Sequence, residues 1–246
     1  NECIDSFYGP TPTPSLDVPG ADRTMRLMDG LVRRTRIPKY SLELLLHGYL
    51  SDAQPTNVDL QTVRDVHVYC IRVAGSVGII CLHLYGESID PRTVRYAVSL
   101  GVAFQLTNIA RDILTDADMG RTYVPLDWRG GSAHESAKRV VRHAESYYAL
   151  ALKGVHGLSN PWIRYAVMSG LLIYRQIGVR ILQATHYRKR EYVGRWGRFR
   201  LLLRAMWYAW VGGDPSIDHD TATTATIDSD LEAELAFCAS VGKKTQ

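Results

Sequence analysis

Gly101, Gln105, Asn108, Asp112 and Asp116 follow one another at spacings of four, three, four and four residues. On a helix these spacings place them within an arc of about 80°. The positions between them, among them Leu100, Ala103, Leu106, Ile109, Ala110 and Ile113, are apolar enough to be buried on the remaining faces. One side of a core helix thus offers two amides and two carboxylates. Asp112 and Asp116 stand one turn apart and repel each other, and a hard divalent cation between them would relieve that. Such ions take carboxylate oxygens and complete their shell with water and phosphate oxygens. Just beyond, Gly120, Arg121 and Tyr123 make a turn with a guanidinium suited to phosphate. A plain solvated acidic surface is the competing reading. Against it, carboxylates near a helix C-terminus oppose the helix dipole.

The elements that must hold this stripe are helical. Asp90–Pro91 is an N-cap followed by a first-turn proline, and opens the central helix. Upstream, residues 23–36 and the segment after Pro38 have apolar positions at helical spacing, and 60–85 reads as one long helix interrupted only by Gly75 and Gly78. Downstream, Gly130–Gly131 close a loop, 132–152 is amphipathic, Pro161 starts a helix running to Ile181, and basic residues 187–200 lead into apolar 201–210. Strand alternation is found nowhere, so the expected class is all-α. Prolines at 10, 12, 14 and 19 mark a loop near the N-terminus. Two units are expected: a helical domain over 1–211 and a polar tail over 212–246, disordered except for a short helix at 231–237.

The net charge is +4, mildly basic, which suits anionic substrates or an anionic membrane surface. No nucleic-acid motif accompanies the arginines, so no nucleic-acid partner is expected. The four cysteines lack metal-site spacing, which points to a reduced compartment and no zinc. No run of eighteen apolar residues occurs, so no spanning helix is expected. The sequence starts at Asn1 rather than Met, and a missing N-terminal piece is expected.

Three pieces of sequence resemble one family. Gln105-Leu-Thr-Asn108-Ile-Ala-Arg111-Asp112-x-x-x-Asp116-x-x-x-Gly120-Arg121-x-Tyr123-x-Pro125 is similar to the second aspartate-rich motif of squalene and phytoene synthases. Tyr69-Cys70-x-x-Val73-Ala74-Gly75-x-Val77-Gly78 and Gly48-x-x-x-Asp52 resemble further motifs of that family, and Tyr174-Arg175 and the 190–198 stretch are weaker matches. The resemblance implies an isoprenoid synthase-type helical bundle around a central apolar cavity. It also implies a prenyltransferase that joins two prenyl diphosphates head to head.

On that resemblance Asp112 and Asp116 would hold Mg²⁺, or Mn²⁺ in its place, with Asn108 alongside. Arg111, Arg121, Tyr123 and Arg190 would bind diphosphate. Tyr69, Val73, Ala74, Val77, Gly78, Gly101, Gln105 and Tyr174 would face the substrate. Gly75 and Gly78 can equally serve close helix packing, and Tyr174 can equally be a core tyrosine. The family's first motif, D-x-x-x-D, falls on Asn1 and Asp5, so Asn stands where the first aspartate belongs. Asn1 offers only a neutral oxygen, a poorer ligand for a hard cation. The wording of the central motif is closer to phytoene synthases, which implies phytoene from two geranylgeranyl diphosphates, through a cyclopropyl diphosphate, without NADPH. The alternatives are a squalene, presqualene or dehydrosqualene synthase using farnesyl diphosphate, or an impaired relative kept as a binding or assembly module. A generic helical lipid-binding protein leaves the Asn108, Asp112 and Asp116 stripe unexplained. Implied partners are prenyl diphosphates, a membrane touched peripherally and other isoprenoid-pathway enzymes. The implied location is the cytoplasmic face of a membrane, or a plastid in a photosynthetic eukaryote.

Overall fold

The carboxylate of Asp90 accepts hydrogen bonds from the backbone N–H groups of Arg92 and Thr93, at 2.9 and 3.0 Å. Pro91 needs no such partner. In the computed structural model, which describes residues 30–53, 58–187, 190–212, 229–234 and 236, this cap starts the helix around which the others are arranged. In chain order the helices are α1 (Lys39–Ala53), α2 (Val63–Cys70), a π turn (Ile71–Gly75), α3 (Ser76–Tyr85), α4 (Pro91–Asp118), a short 3-10 turn (Leu126–Trp128), α5 (Ala133–Val155), α6 (Pro161–Gln183) and α7 (Arg195–Trp210). The expected all-α class holds among the described residues.

Helix α4 is 28 residues long, about 42 Å, and packs on α5, α6, α2, α3 and the π turn. Its apolar faces meet those of α5. Leu106, Ile109 and Ala110 are buried in one cluster with Val140, Ala144, Tyr147 and Tyr148. In that seam Thr107 Oγ1 and the Tyr148 hydroxyl lie 2.8 Å apart, so each has a partner.

The long helix expected over 60–85 begins later and changes pitch. Thr62 and Asp65 form a reciprocal capping box, which sets the start at Val63. From Ile71 to Gly75 the helix widens into a π turn, a rare form that accommodates an extra residue. This turn packs against α4 so closely that a Cβ on Gly101 would lie 2.3 Å from the Ala74 carbonyl oxygen, and one on Gly78 would lie 2.5 Å from that of Ala97. By length and mean hydropathy, 1.6, residues Val63–Tyr85 could cross a bilayer. In the fold the run packs on α1 and α4.

Past α4, Gly120 adopts φ +72°. Arg121 N–H then bonds back to Asp116 O at 2.9 Å, closing the helix end. An isolated parallel bridge, Asp59 with Thr122, fastens this turn to the segment before α2. Within the expected tail, residues 229–234 are helical and dock on α2. Asp230 and Glu234 of this segment have partners on α2 and the π turn. His67 Nδ1 lies 2.9 Å from Asp230 Oδ2, and Arg72 donates to Glu234 at 2.6 and 3.2 Å. His67 Nε2 also lies 2.7 Å from His143 Nε2. With Nδ1–H donated to Asp230, His67 accepts from His143, and both rings are neutral.

Candidate active site

The last two turns of α4 and the turn behind them build the polar end of the site. Asp112 takes three contacts from Arg111, two from Nε at 3.1 and 3.2 Å and one from Nη2 at 2.5 Å. Arg111 is itself fixed by its backbone, whose carbonyl accepts from the Tyr187 hydroxyl at 2.5 Å. The Asp116 carboxyl is pushed up to about 6, first by burial and then by the charges of Asp112 and Asp52, while Arg121 and Arg111 act in the opposite sense. A carboxyl held this far above its ordinary range sits where negative charge is crowded, and a cation would restore it. Asn108 gives Nδ2 to Gln105 Oε1 at 3.4 Å, yet its own Oδ1 is buried with no hydrogen-bond partner. An orphaned carbonyl oxygen on the same stripe as two carboxylates fits a hard cation's preference for oxygen ligands. Among the described residues no three Asp, Glu, His or Cys side chains converge into a ready-made cage.

Asp52, at the end of α1, organises the opposite wall. Its Oδ2 accepts from the Tyr69 hydroxyl at 3.1 Å and its Oδ1 from Tyr123 at 2.8 Å, and the two rings stack with centroids 4.8 Å apart. Burial raises both tyrosine pKa values, so the hydroxyls remain donors. Arg121 Nη2 donates to the Asp52 backbone carbonyl at 3.2 Å. Asp52, Tyr69, Arg121 and Tyr123 therefore form one unit that carries a guanidinium beside Asp116.

Below this polar end lies an apolar cavity of about 380 Å³. Val73, Ala74, Val77, Gly78 and Gly101 all line it. Gly78 and Gly101 also lie against the backbone of the neighbouring helix. The far wall comes from α5 and α6, through Ala151, Gly154 and Gly170. Phe104 also lines the cavity. Its ring stacks on Tyr174 at 4.5 Å and lies 3.3 Å from where a Gly170 Cβ would be.

Other expectations are redistributed. Tyr69 is held by Asp52 and is absent from the cavity wall, and Gln105 faces Asn108. Tyr174 combines stacking on Phe104 with nearness to Arg111. Arg175, beside it, bonds Glu145 at 2.8 Å. Arg190 is exposed, at φ +54°. Asn1 and Asp5 lie outside the described residues. Asp52 was legible only as a letter in a matched motif, without a role. Gly154 and Gly170, single glycines inside helical patterns, were the signal for the far wall.

Comparison with known proteins agrees with this arrangement. The model of the squalene/phytoene synthase family matches residues 2–197. The 15-cis-phytoene synthase of Enterobacter agglomerans is 37% identical over 165 residues, covering 60% of this chain and 54% of that protein. The phytoene synthase of Pseudescherichia vulneris is 32% identical over 185 residues, covering 68% and 58%. The chain thus spans little more than half the length of these curated relatives. A crystal structure of a dehydrosqualene synthase with ligand superposes with a TM-score of 0.59 at 27% identity, covering 68% of this chain and 64% of that one.

Proposed function

The chain belongs to the squalene/phytoene synthase family, and from that premise we propose that it is a Mg²⁺-dependent prenyltransferase of carotenoid synthesis. It condenses two geranylgeranyl diphosphates head to head to phytoene, through a cyclopropyl diphosphate, without NADPH. One juxtaposition carries the reading. The Asn108, Asp112 and Asp116 stripe sits in the C-terminal half of α4, and an apolar cavity lies alongside the N-terminal half of the same helix.

Asp112, Asp116 and the unpartnered Oδ1 of Asn108 would hold Mg²⁺, with Mn²⁺ as a substitute. An ion held there would supply positive charge against a diphosphate leaving group, the chemistry that favours ionisation of an allylic C–O bond. Arg121, anchored on Asp52, and Arg111 supply guanidinium donors for diphosphate oxygens. Tyr69 and Tyr123, both donating to Asp52, hold that wall in place. The prenyl chain passes Phe104 into the cavity, whose apolar lining keeps water from the cation. Gly78, Gly101 and Ala74 keep the backbone close to the chain. Substrates and product this apolar place the work at a membrane, on a cytoplasmic face or in a plastid, beside the enzymes that supply and consume them.

The named phytoene synthases support the C40 product. The likeness to a dehydrosqualene synthase makes C30 chemistry on farnesyl diphosphate the second reading. The test is incubation of the full-length protein with Mg²⁺ and either geranylgeranyl or farnesyl diphosphate, with and without NADPH. Phytoene and diphosphate are expected from the first substrate alone. A C30 product only, or strict dependence on NADPH, overturns the product assignment. Absence of any metal-dependent diphosphate release overturns the enzymatic reading and leaves a binding or assembly relative. Asp112→Asn or Asp116→Asn is expected to lower turnover at least ~10²-fold, the loss typical when a preorganised group that stabilises developing charge is removed.

A further inference from the structure

Helix α7 has three faces. Leu201, Ala205 and Ala209 are buried and pack toward α6. On the outward side Trp196, Phe199, Leu203, Met206, Trp207 and Trp210 are all exposed, Trp196 by 80%. At 100° per residue these six fall within one unbroken arc of about 100°. Arg195 borders the arc on one edge, and Arg200 and Arg204 border it on the other. No acidic residue occurs in the helix. The patch continues onto α6, where exposed Trp162 meets Trp210 edge to face at 4.9 Å.

An exposed apolar stripe this continuous is not ordinary surface. Its composition narrows the occupant. Indole rings prefer the boundary between water and hydrocarbon, and arginines along the rim attract phosphate headgroups. A helix of 16 residues, about 24 Å long, presents a row suited to a plane. It has no acidic rim that would discriminate among protein partners. We propose that the outward face of α7 lies flat in the interface of an anionic phospholipid bilayer, with Trp196, Phe199, Leu203 and Trp207 inserted and Arg200 and Arg204 at headgroup level. This deepens the reading above by naming the surface through which the protein meets its membrane. It also has a functional consequence. Helix α6, on which α7 rests, lines the cavity through Ala166, Val167 and Gly170. Arg164 of α6 donates to the Ala209 carbonyl at 2.9 Å. One helix therefore separates the docked face from the prenyl cavity, which places that cavity at the source of its apolar substrate.

The test uses the full chain with no metal and no prenyl substrate, so it stands or falls independently of the catalytic reading. Co-sedimentation is measured with phosphatidylcholine vesicles and with vesicles that also contain phosphatidylglycerol. Binding is expected to favour the anionic vesicles and to weaken as salt rises, because screening shortens the range of these charges from about 10 Å at 0.1 M to about 3 Å at 1 M. Trp196→Ser with Trp207→Ser is expected to lower partitioning about tenfold or more on the anionic vesicles. Arg200→Gln with Arg204→Gln is expected to abolish the preference for them. Both double variants should keep the parent's melting temperature, and the parent's tryptophan emission should be quenched by brominated lipid. Failure of the parent to bind anionic vesicles overturns the proposal, as does unchanged binding by both variants. A loss of self-association in the tryptophan variant, with no vesicle binding by the parent, would assign the face to a second copy instead.

Discussion

Gly101→Ala tests the contact on which both the packing and the cavity depend. In an open helix interior this change would add about 1 kcal/mol of stability, because glycine is the poorer helix former. Here the new Cβ would lie 2.3 Å from Ala74 O, 2.5 Å from Ala74 C and 2.8 Å from Gly75 N. All three are backbone atoms of the π turn, so no side chain can swing away. Overpacking of this kind costs about 1–3 kcal/mol, and a rigid backbone neighbour places it at the upper end. The net expectation is a loss of about 2 kcal/mol, or a fall in Tm of about 4–8 °C for a chain of this size. Gly78→Ala meets Ala97 O at 2.5 Å across the same seam and is expected to behave alike. Moving α4 away from the continuous run of π turn and α3 once relieves both clashes, so the double variant should lose less than the sum of the single losses. Thermal and urea melts of the four proteins measure this, and prenyl transfer should fall in parallel because Ala74, Gly78 and Gly101 all line the cavity. A Gly101→Ala protein as stable as its parent would refute the close backbone approach. Strict additivity of the two changes would refute the shared seam.

Asp52→Asn leaves one of the two tyrosine hydroxyls facing an amide N–H instead of a carboxylate. A stability loss of about 1–2 kcal/mol is expected, checked by urea melts, while Arg121 keeps its bond to the Asp52 backbone carbonyl. The buried histidine pair predicts an acid limb. Burial and the neighbouring His67 hold His143 down at about 4, against an ordinary 6.5, and burial also lowers His67 despite Asp230. Between those values the unfolded chain binds a proton that the native state refuses, so stability is present above pH 6.5 and is lost as pH falls toward 4, by about 3 kcal/mol from His143. Melts across that range should show the slope, and His143→Gln should flatten it. An equally steep limb in the variant would show that other groups cause it.

Local sequence determined much of this protein. Asp90–Pro91, the Thr62 and Ser132 caps and Pro161 set helix ends through bonds within a few residues, and such bonds form whatever the rest of the chain does. The 3.6-residue period likewise determines that Asn108, Asp112 and Asp116 share a face, since that needs only the helix itself. Tertiary structure decided the rest. Asp52 became the anchor of Tyr69, Tyr123 and Arg121 only when α1 was brought against the turn after α4, because a carboxylate's role depends on which donors reach it from distant parts of the chain. The widening of the helix at Ile71–Gly75 has no local signature, being set by the fit against Gly48 and Gly101. The docking of 229–234 follows the same rule. Charges carry no address in sequence, and where they come to rest depends on the partners and the burial that the packed helices provide.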